Sequence, residues 1–557
     1  MLVAASLAFA LTAGAPTVPS TEGAVPPCTT TFEIGPIGSA TADLARLAQL
    51  TGAAPVSPQL HLRWSSQPEV LFCADGRAPH HAALAAPSPG PAELELRVLP
   101  SGLRSRYNSA YADDRNDGAL WAGRGLSTAI EGGVRLRWRL LSATVAPVVA
   151  WQQNRGFYAP PSTTTGQSPY ANPFNYGGID LPLRFGPDAF WTLDPGQSTL
   201  RVDGWGVSAG ASTENLWWGP GQRNSLLMTN SAPGMAHLFL GTSRPVDIWI
   251  GWLEAQMIWA RPRDSKWFDT TGTVRPRFFN ALNFGFEPAA VPGLFLGLTR
   301  GYVYAVPPGG LTSAQYLGLP LIAPYAKRSL ATLANPTGNS PDNQLASVYA
   351  RWVFPESGLE IYGEWGRDDH SWDFDDFITQ PSHSSSGMAG LQKVFPTSSG
   401  WLRFVAEAVR TLEKPTNNPP RPVPIFYIHS NETQGYTNRG QMLGAGVGPQ
   451  ADSQWLAVDY FSGPATLGGW LERVERNGRW YYDRAIGWSR QDVEFGGGLR
   501  GGWTWPELEL NGSLGVAERY NMNFGPNAFA VKVQFDLTWW PGRAVVPSLW
   551  TKSQLTP

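Results

Sequence analysis

The sequence is short of charge, of cysteine and of long apolar runs. Only 15% of its 557 residues are charged, against roughly a quarter in an ordinary soluble protein. The net charge is −2, so no basic field would attract nucleic acid. Two cysteines are too few for a cysteine-based zinc site. No mature segment reaches the about 20 apolar residues of a spanning helix, and the mean hydropathy of −0.21 is too polar for a membrane-helix bundle.

The one apolar run, at the N-terminus, has the length of a signal-peptide core. It ends near Ala13-Gly14-Ala15, which resembles a small-x-small cleavage site. We therefore expect export through the periplasm to the outer membrane. The expected regions are a signal peptide at 1–15, a periplasmic N-terminal segment at 16–90, a β-barrel at 91–540 and a C-terminal tail at 541–557.

The chain is rich in aromatic residues and in two-residue alternation. Trp supplies 25 residues, Gly 61 and Pro 49. From about residue 90 onward, apolar and polar residues alternate repeatedly, which is typical of strands with one apolar and one polar face. The clearest examples are Glu93–Leu99, Val134–Leu140, Leu359–Trp365, Glu507–Val516 and Val531–Trp539.

A membrane barrel accounts for this combination better than a soluble β-sandwich. The outer face of a sandwich would be far richer in Lys and Glu. In a barrel the apolar face meets lipid and only the lumenal face needs charge. Tryptophans near strand ends then form interfacial girdles, the alternative being that they are core residues of a soluble β-domain. At roughly 25 residues for each strand with its connection, the predicted fold is all-β, a transmembrane antiparallel β-barrel of about 18 strands.

The N-terminal segment contains a short amphipathic helix, predicted over Ala42–Leu50 with Thr41 as N-cap and Gly52 as terminator. Its apolar stripe must be buried, and we expect it to plug the periplasmic mouth of the barrel. In an oxidising periplasm Cys28 and Cys73 either pair or remain two independent small residues.

Several motifs occur in the order in which they occur in the capsule-assembly Wzi family. They are Ile179–Gly186, Gly196–Val202, Ser212–Gly221, Asn224–Pro233, Glu360–Arg367, Gly435–Gln441 and Gly446–Pro449. The sequence is similar to this family over most of its length from about residue 36. The Trp-Trp-Gly-Pro-Gly block is the most specific of the motifs. The sequence departs from the family in ending on Trp550–Pro557 rather than on a terminal aromatic residue.

The resemblance implies an outer-membrane β-barrel of about eighteen strands with a helical plug on the periplasmic side. Family members act as lectin-like proteins that attach or organise capsular polysaccharide, although the particular glycan does not transfer. The expected partners are capsular or other surface polysaccharide, outer-membrane lipid and the barrel-assembly machinery, with no nucleic acid. The alternative is a diffusion channel or substrate-specific porin, which shares the fold and differs in having an open lumen.

Seven residues are candidate glycan contacts: Trp217, Trp218, Arg223, Asn230, Glu360, Glu364 and Arg367. The C–H face of a sugar ring stacks well on indole. The alternative for the tryptophan pair is a tight turn in which both rings pack. Arg223 and Asn230 have the donors and acceptors for hydroxyls or acidic sugars.

Glu360 and Glu364 lie on one face of one predicted strand, about 13 Å apart along it. Paired glycosidase carboxylates are roughly 5 to 9.5 Å apart, so these two alone do not form a hydrolase site. We expect them to join Arg403 and Glu407 in a lumenal network of paired charges.

The sequence predicts no catalytic residue, no metal site and no cofactor. The seven histidines show no HExxH spacing, and no nucleophile elbow or phosphate-binding loop is present. The acidic stretch Asp368–Asp376 is either a solvated loop or a Ca²⁺ site, and its spacing does not match an EF-hand.

Overall fold

The computed structural model describes residues 30–56, 69–72, 94–174, 178–322, 342–368, 378–379, 381–412, 425–429, 432–484 and 490–543. The predicted signal peptide, both cysteines, the acidic stretch after Asp368 and residues 544–557 lie outside these ranges, so those expectations stay predictions.

The described chain is mainly β-structure. The strands are β1 Thr30–Glu33, β2 Glu69–Phe72, β3 Glu95–Val98, β4 Ser101–Asn108, β5 Gly125–Glu131, β6 Val134–Trp138, β7 Leu141–Val145, β8 Val148–Gln152, β9 Phe190–Asp194, β10 Thr199–Gly204, β11 Val207–Ser212, β12 His237–Thr242, β13 Val246–Asp247, β14 Gly251–Ala260, β15 Arg277–Pro288, β16 Leu294–Ala305, β17 Asp342–Phe354, β18 Leu359–Asp368, β19 Ser385–Thr397, β20 Gly400–Arg410, β21 Thr437–Asn438, β22 Gln441–Met442, β23 Asp452–Ser462, β24 Ala465–Arg476, β25 Asp492–Thr504, β26 Leu508–Tyr520 and β27 Ala528–Trp539.

Helices are few and short. They are α1 Ala40–Leu50, α2 Ser313–Leu317, α3 Leu319–Ile322 and α4 Gly478–Arg484, with 3₁₀ turns at Pro355–Ser357 and Met522–Phe524. In the part of the chain that the structure describes, none of the helices has the length and apolar character needed to cross a membrane.

One antiparallel sheet of 23 strands contains all the strands except β1, β2, β21 and β22. Neighbours in sequence pair with one another, and β27 pairs with β4 from Lys532 opposite Asn108 to Trp539 opposite Ser101. This pairing therefore joins strands from the two ends of the described sequence. The predicted all-β antiparallel fold class is confirmed.

The observed number of strands differs from the expected number of about eighteen because five long passes are each divided into two segments. The divided passes are β3 with β4, β5 with β6, β7 with β8, β9 with β10, and β12 with β13. Four of the breaks contain a proline and the fifth contains a Gly-Gly pair; these are Pro100, Pro147, Pro195, Pro245 and Gly132-Gly133. Proline has no N–H to donate to the ladder, and glycine weakens it.

The two ends of the barrel differ in the length of their connections. Residues 398–399 join β19 to β20 at one end, whereas residues 411–451 separate β20 from β23 at the other. Outer-membrane barrels have short periplasmic turns and long extracellular loops. The short-turn end therefore corresponds to the periplasmic side.

The strands bury their polar face and expose their apolar face. On β18, Glu360, Tyr362 and Glu364 are buried towards the lumen, while Ile361 is 41% exposed on the outside. This is the alternation predicted for Leu359–Trp365. The distribution is the reverse of that in a soluble protein and suits a wall between lipid and a polar interior.

α1 begins two residues earlier than the predicted Ala42. Its N-cap is Ser39, whose Oγ accepts from the Ala42 N–H at 3.3 Å, so the prediction of Thr41 as cap was wrong. The Thr41 hydroxyl instead accepts from the Gly35 N–H at 2.8 Å. The helix ends at Leu50 with Thr51 as C-cap, and the predicted terminator Gly52 follows with φ +75°.

The apolar side of α1 packs against the inner wall of the barrel near the short turns. Ala45, Leu47, Ala48 and Leu50 share a buried cluster with the wall residues Leu99, Phe295, Val353, Val394 and Phe461. The helix therefore lies within the mouth of the barrel, as the plug prediction required.

A second stretch enters the lumen from the long-loop side. Residues 213–236, named here the inserted segment, connect β11 to β12 and are buried over most of their length. Leu226 and Leu227 pack in the largest apolar cluster with Tyr427 and with the wall residues Phe279 and Leu345. Elements from both ends thus fill the lumen.

Candidate functional site

Glu360 anchors α1 to the barrel wall. Its fully buried carboxylate accepts from Arg46 Nε at 3.0 Å and from Arg351 Nη2 at 3.0 Å. Gln392 Nε2 donates a further bond of 2.9 Å. Burial lowers the pKa of the Arg46 guanidinium, but the facing Glu360 carboxylate outweighs it, so the net pKa is raised. Arg46 therefore remains charged.

Arg403 holds the other end of the same helix. Its guanidinium pairs with Asp43 at 2.8 Å and with Asp459 of β23 at 2.9 Å. Gln49, one turn beyond Arg46, accepts from Arg351 Nη1 at 3.0 Å. Three polar side chains of α1 are thus engaged by the inner wall.

Glu407 binds the inserted segment through its backbone. The carboxylate accepts from the N–H groups of Gln222 at 2.7 Å, Arg223 at 3.2 Å and Asn224 at 2.9 Å. The hydroxyl of Tyr362 donates to the same carboxylate at 3.0 Å. One side chain of β20 therefore fixes three consecutive peptide units inside the lumen.

Glu364 likewise binds the inserted segment, at Ser225 and Leu226. It accepts from the Leu226 N–H at 2.9 Å, from Ser225 Oγ at 2.8 Å and from Ser347 Oγ of β17 at 2.7 Å. The expected network of lumenal charges therefore exists in a different form. Glu360, Glu364, Arg403 and Glu407 bind α1 and the inserted segment rather than one another.

The two neighbouring tryptophans have different environments. Trp218 is 2% exposed and lies in the largest apolar cluster, where its Nε1 donates to Gln256 Oε1 at 3.3 Å. Trp217 is 7% exposed and borders a cavity. Trp218 is thus packed in a way that leaves it little contact with a ligand, whereas Trp217 faces open space.

The cavity has a volume of about 440 Å³ and lies between α1, the inserted segment and the wall formed by β4, β26 and β27. Pro100, Gly132 and Trp540, near the short turns, are among its lining residues. It therefore extends towards the periplasmic end of the barrel. Of the predicted site residues it includes Trp217, Arg223 and Asn230, but not Trp218, Glu360, Glu364 or Arg367.

The charges that line the cavity balance. Six arginines and six acidic residues contribute: Arg46, Arg104, Arg106, Arg223, Arg403, Arg500, Asp43, Asp117, Glu131, Asp194, Glu509 and Asp536. Many form pairs, such as Arg106 with Asp117 at 2.9 Å. The Arg223 guanidinium lies 5.0 Å from the centre of the Trp455 ring. The lining is therefore polar but carries no excess of either sign.

Two amide groups at the cavity have unsatisfied polar atoms. Asn230 donates through Nδ2 to the carbonyls of Ile37 at 3.2 Å and Asn116 at 3.1 Å. Its buried Oδ1 accepts no hydrogen bond from any described residue, and the buried Nε2 of Gln222 donates none. The cavity therefore offers one free acceptor and one free donor.

Arg367 lies away from this cavity. It is buried near the long-loop end of β18, opposite Ala346 of β17 and Ser385 of β19. Sequence reasoning missed Gln222 and Trp455, which do line the cavity. Gln222 directly follows the Trp-Trp-Gly-Pro-Gly block, and this position was the available signal.

Among the described residues, no group of three or more His, Cys, Asp or Glu side chains has a geometry suited to a metal ion.

The family model described as Capsule assembly protein Wzi matches residues 131–517. The chain belongs to this family. The predicted family membership, the outer-membrane location and the role in capsule assembly are thereby confirmed. No curated protein has a sequence that matches the chain significantly.

Several solved structures are similar to this Wzi family member. Wzi of Escherichia coli, described as a carbohydrate-binding β-barrel involved in group 1 capsule assembly, aligns with a TM-score of 0.52 at 12% identity, over 78% of this chain and 83% of that one. OccAB2 of Acinetobacter baumannii has a TM-score of 0.40 at 11% identity, over 79% and 97%. A BenF-like porin of Pseudomonas fluorescens has a TM-score of 0.40 at 9% identity, over 80% and 98%.

Proposed function

We propose that this protein is lectin-like and that it attaches or organises surface polysaccharide during capsule assembly, with the lumenal cavity beside Trp217 as a contact site. The observation that carries the proposal is the pair of unsatisfied amide atoms of Asn230 and Gln222 next to an indole ring. The description of the Escherichia coli protein as carbohydrate-binding supports it.

The chemistry of the cavity suits a sugar hydroxyl. A hydroxyl both donates and accepts, so the hydroxyls of a sugar complement both the Oδ1 of Asn230 and the Nε2 of Gln222. The volume of about 440 Å³ lies in the range of small-ligand pockets. Because the lining charges balance, we expect a hydroxyl-rich unit to bind better than a strongly anionic one. Weak contacts to repeated units of one polymer add up through multivalency.

We further propose that the chain is not an enzyme. Its buried carboxylates Glu360, Glu364 and Glu407 are occupied in holding α1 and the inserted segment. Outer-membrane lipid against the apolar outer face and the barrel-assembly machinery during insertion complete the proposed partners. The alternative of an open diffusion channel is disfavoured by the contacts that hold α1 in the lumen.

The test is binding of the detergent-folded protein to an array of bacterial surface polysaccharides, including the capsule of its own host. The double variant Trp217→Ala/Gln222→Ala is expected to lose binding, because it removes the stacking ring and the free donor. The matched control Trp205→Ala/Gln454→Ala changes two exposed residues outside the cavity and is expected to bind normally. If both variants bind the glycan equally, the binding site lies outside this cavity. If the wild type binds no glycan, the lectin function is contradicted.

A further inference from the structure

The barrel wall contains one short strand, β11. β11 pairs with β10 over six residues, and β12 pairs with β11 over the same six. A membrane-spanning strand needs about 9 to 11 residues, whereas β17 and β18 pair over ten. β11 begins after the short turn at residues 205–206 and ends at Ser212, opposite His237, where the inserted segment enters the lumen. β11 is therefore shorter than the neighbouring passes, β9 with β10 and β12 with β13, at the end where the inserted segment leaves the wall.

The neighbouring pass has an unpaired edge at β9. β9 pairs with β8 from Val148 opposite Asp194 to Gln152 opposite Phe190. On its other side no described strand pairs with it. Loop residues cross the opening instead: the Arg439 guanidinium pairs with Asp194 at 2.6 Å, and the Arg439 N–H donates to the Arg263 carbonyl at 2.7 Å.

A cavity of about 430 Å³ occupies this opening, and we name it the lateral notch. It is lined by Pro147, Leu193, Asp194, Pro195, Thr213, Gly234, Met235, Ala236, Arg261, Arg263, Asn438 and Arg439. Leu193 is 77% exposed on the outer face of β9, so the notch is reached from the side that meets lipid. Its floor is apolar and its rim holds three arginines.

Two of these arginines are available to a ligand. The backbone of Arg263 is fixed, because its N–H donates to Asn438 Oδ1 at 2.9 Å. The guanidinium groups of Arg261 and Arg263 are exposed and have no hydrogen-bond or ion-pair partner among the described residues. Arginine at a membrane interface needs an anionic or strongly polar partner, and its planar fork matches the oxygens of a phosphate.

We propose that the lateral notch binds the phosphorylated headgroup of a membrane lipid. Arg261 and Arg263 hold the phosphate oxygens, while an acyl chain lies along Leu193, Pro195 and Ala236. The lipid completes the wall where β11 is too short to do so. The notch shares Asp194 with the lumenal cavity, but lipid binding does not depend on glycan binding there.

The test is native mass spectrometry of the detergent-folded protein with two lipids that share the same acyl chains, phosphatidylglycerol and phosphatidylcholine. The wild type is expected to retain the net-anionic phosphatidylglycerol preferentially. The variant Arg261→Ser/Arg263→Ser is expected to bind it about tenfold more weakly, because two charge-assisted hydrogen bonds are lost. Inorganic phosphate in excess is not expected to displace the lipid, since the acyl chain contributes to binding.

A matched control separates the notch from overall charge. Arg155→Ser/Arg244→Ser removes two exposed arginines that do not line the notch and is expected to retain the lipid as the wild type does. Circular dichroism checks that both double variants remain folded. Equal retention of the two lipids, an equal loss in both double variants, or full displacement by inorganic phosphate would each overturn the proposal.

Discussion

α1 and the inserted segment both fill the lumen, but the wall holds them by different means. α1 is held by side chains, with Arg46 and Asp43 in ion pairs to Glu360 and Arg403. The inserted segment is held by its backbone, because Glu407 accepts three consecutive N–H groups. A helix satisfies its own backbone and presents only side chains, whereas an irregular segment buried in a barrel must find acceptors for its peptide groups.

The same strand contributes to both attachments. Glu360 and Glu364 both lie on the inner face of β18, and the first binds α1 while the second binds the inserted segment. We expect that one substitution can release an element held by a few ion pairs. A segment held through its peptide groups should be released only when the barrel itself is destabilised. The following predictions test this difference, from the largest expected effect to the smallest.

The substitution Glu407→Leu should have the largest effect. It leaves three lumenal N–H groups, one of them fully buried, without an acceptor, and we expect a loss of about 4 kcal/mol in the free energy of unfolding. Urea unfolding of the lipid-reconstituted protein measures it. Glu407→Gln keeps one carbonyl acceptor, so its free energy of unfolding should fall less than that of Glu407→Leu. A stability of Glu407→Leu equal to that of the wild type would show that the inserted segment does not depend on this carboxylate.

The substitution Arg46→Ala should release α1 and leave the barrel folded. Glu360 keeps Arg351 and Gln392 as partners, so we expect a smaller loss of about 2 to 3 kcal/mol. Planar-bilayer conductance should rise, because the helix no longer blocks the mouth. Arg46→Lys keeps the charge without the planar fork. Its conductance should therefore lie between that of the wild type and that of Arg46→Ala. Unchanged conductance in Arg46→Ala would mean that α1 is held mainly by its apolar cluster.

The third prediction concerns pH and a carboxyl group in another lumenal loop. Burial raises the pKa of Glu432 from 4.5 to about 8, although Arg277 opposes the shift. The folded chain therefore keeps a proton that the unfolded chain loses. Its contribution to stability is complete below pH 4.5 and is lost as the pH rises to about 8.

Urea unfolding at pH 5 and at pH 8 measures this contribution, with Glu432→Gln as the comparison. The variant cannot ionise, so its stability should fall less between the two pH values than that of the wild type. An identical fall in both proteins would exclude Glu432 as the titrating group.

The smallest effect is expected for Trp218→Phe. The phenyl ring fills most of the buried site but lacks the indole N–H that bonds to Gln256, so we expect a loss of about 1 kcal/mol in the free energy of unfolding. Glycan binding should not change. Trp217→Phe should show the opposite pattern, with weaker binding and little loss of stability. Equal effects on binding would mean that the two rings act as one platform.

The strand pattern could be predicted from the sequence because it depends on neighbours two residues apart. Glu360, Tyr362 and Glu364 share the buried face that the alternation assigns to them. The apolar spacing of α1 likewise sufficed to predict a helix that needed burial. Its N-cap was misplaced because Ser39 and Thr41 are both good capping residues. Which of them caps the helix depends on the hydrogen bond that the Thr41 hydroxyl accepts from Gly35, six residues earlier.

The path of the inserted segment could not be predicted in this way. Its Gly and Pro residues indicate a turn, and nothing local shows that the turn lies inside the barrel. The acceptors that hold it are far away in sequence: Glu364 is 138 residues from Leu226, and Glu407 is 185 residues from Gln222. For the same reason the different environments of Trp217 and Trp218 were not visible in the sequence.

The pairing of β27 with β4 has a consequence for how the protein is made. Arg106 and Asp536, which form an ion pair across this seam, are 430 residues apart in the chain. Contacts of such long range form slowly, because the loop must be closed before the pairing stabilises it. Until β27 has been synthesised and delivered, β4 has an unpaired edge that invites aggregation. β4 therefore depends on a strand more than 400 residues away to satisfy its edge, and this pairing forms only once β27 is available.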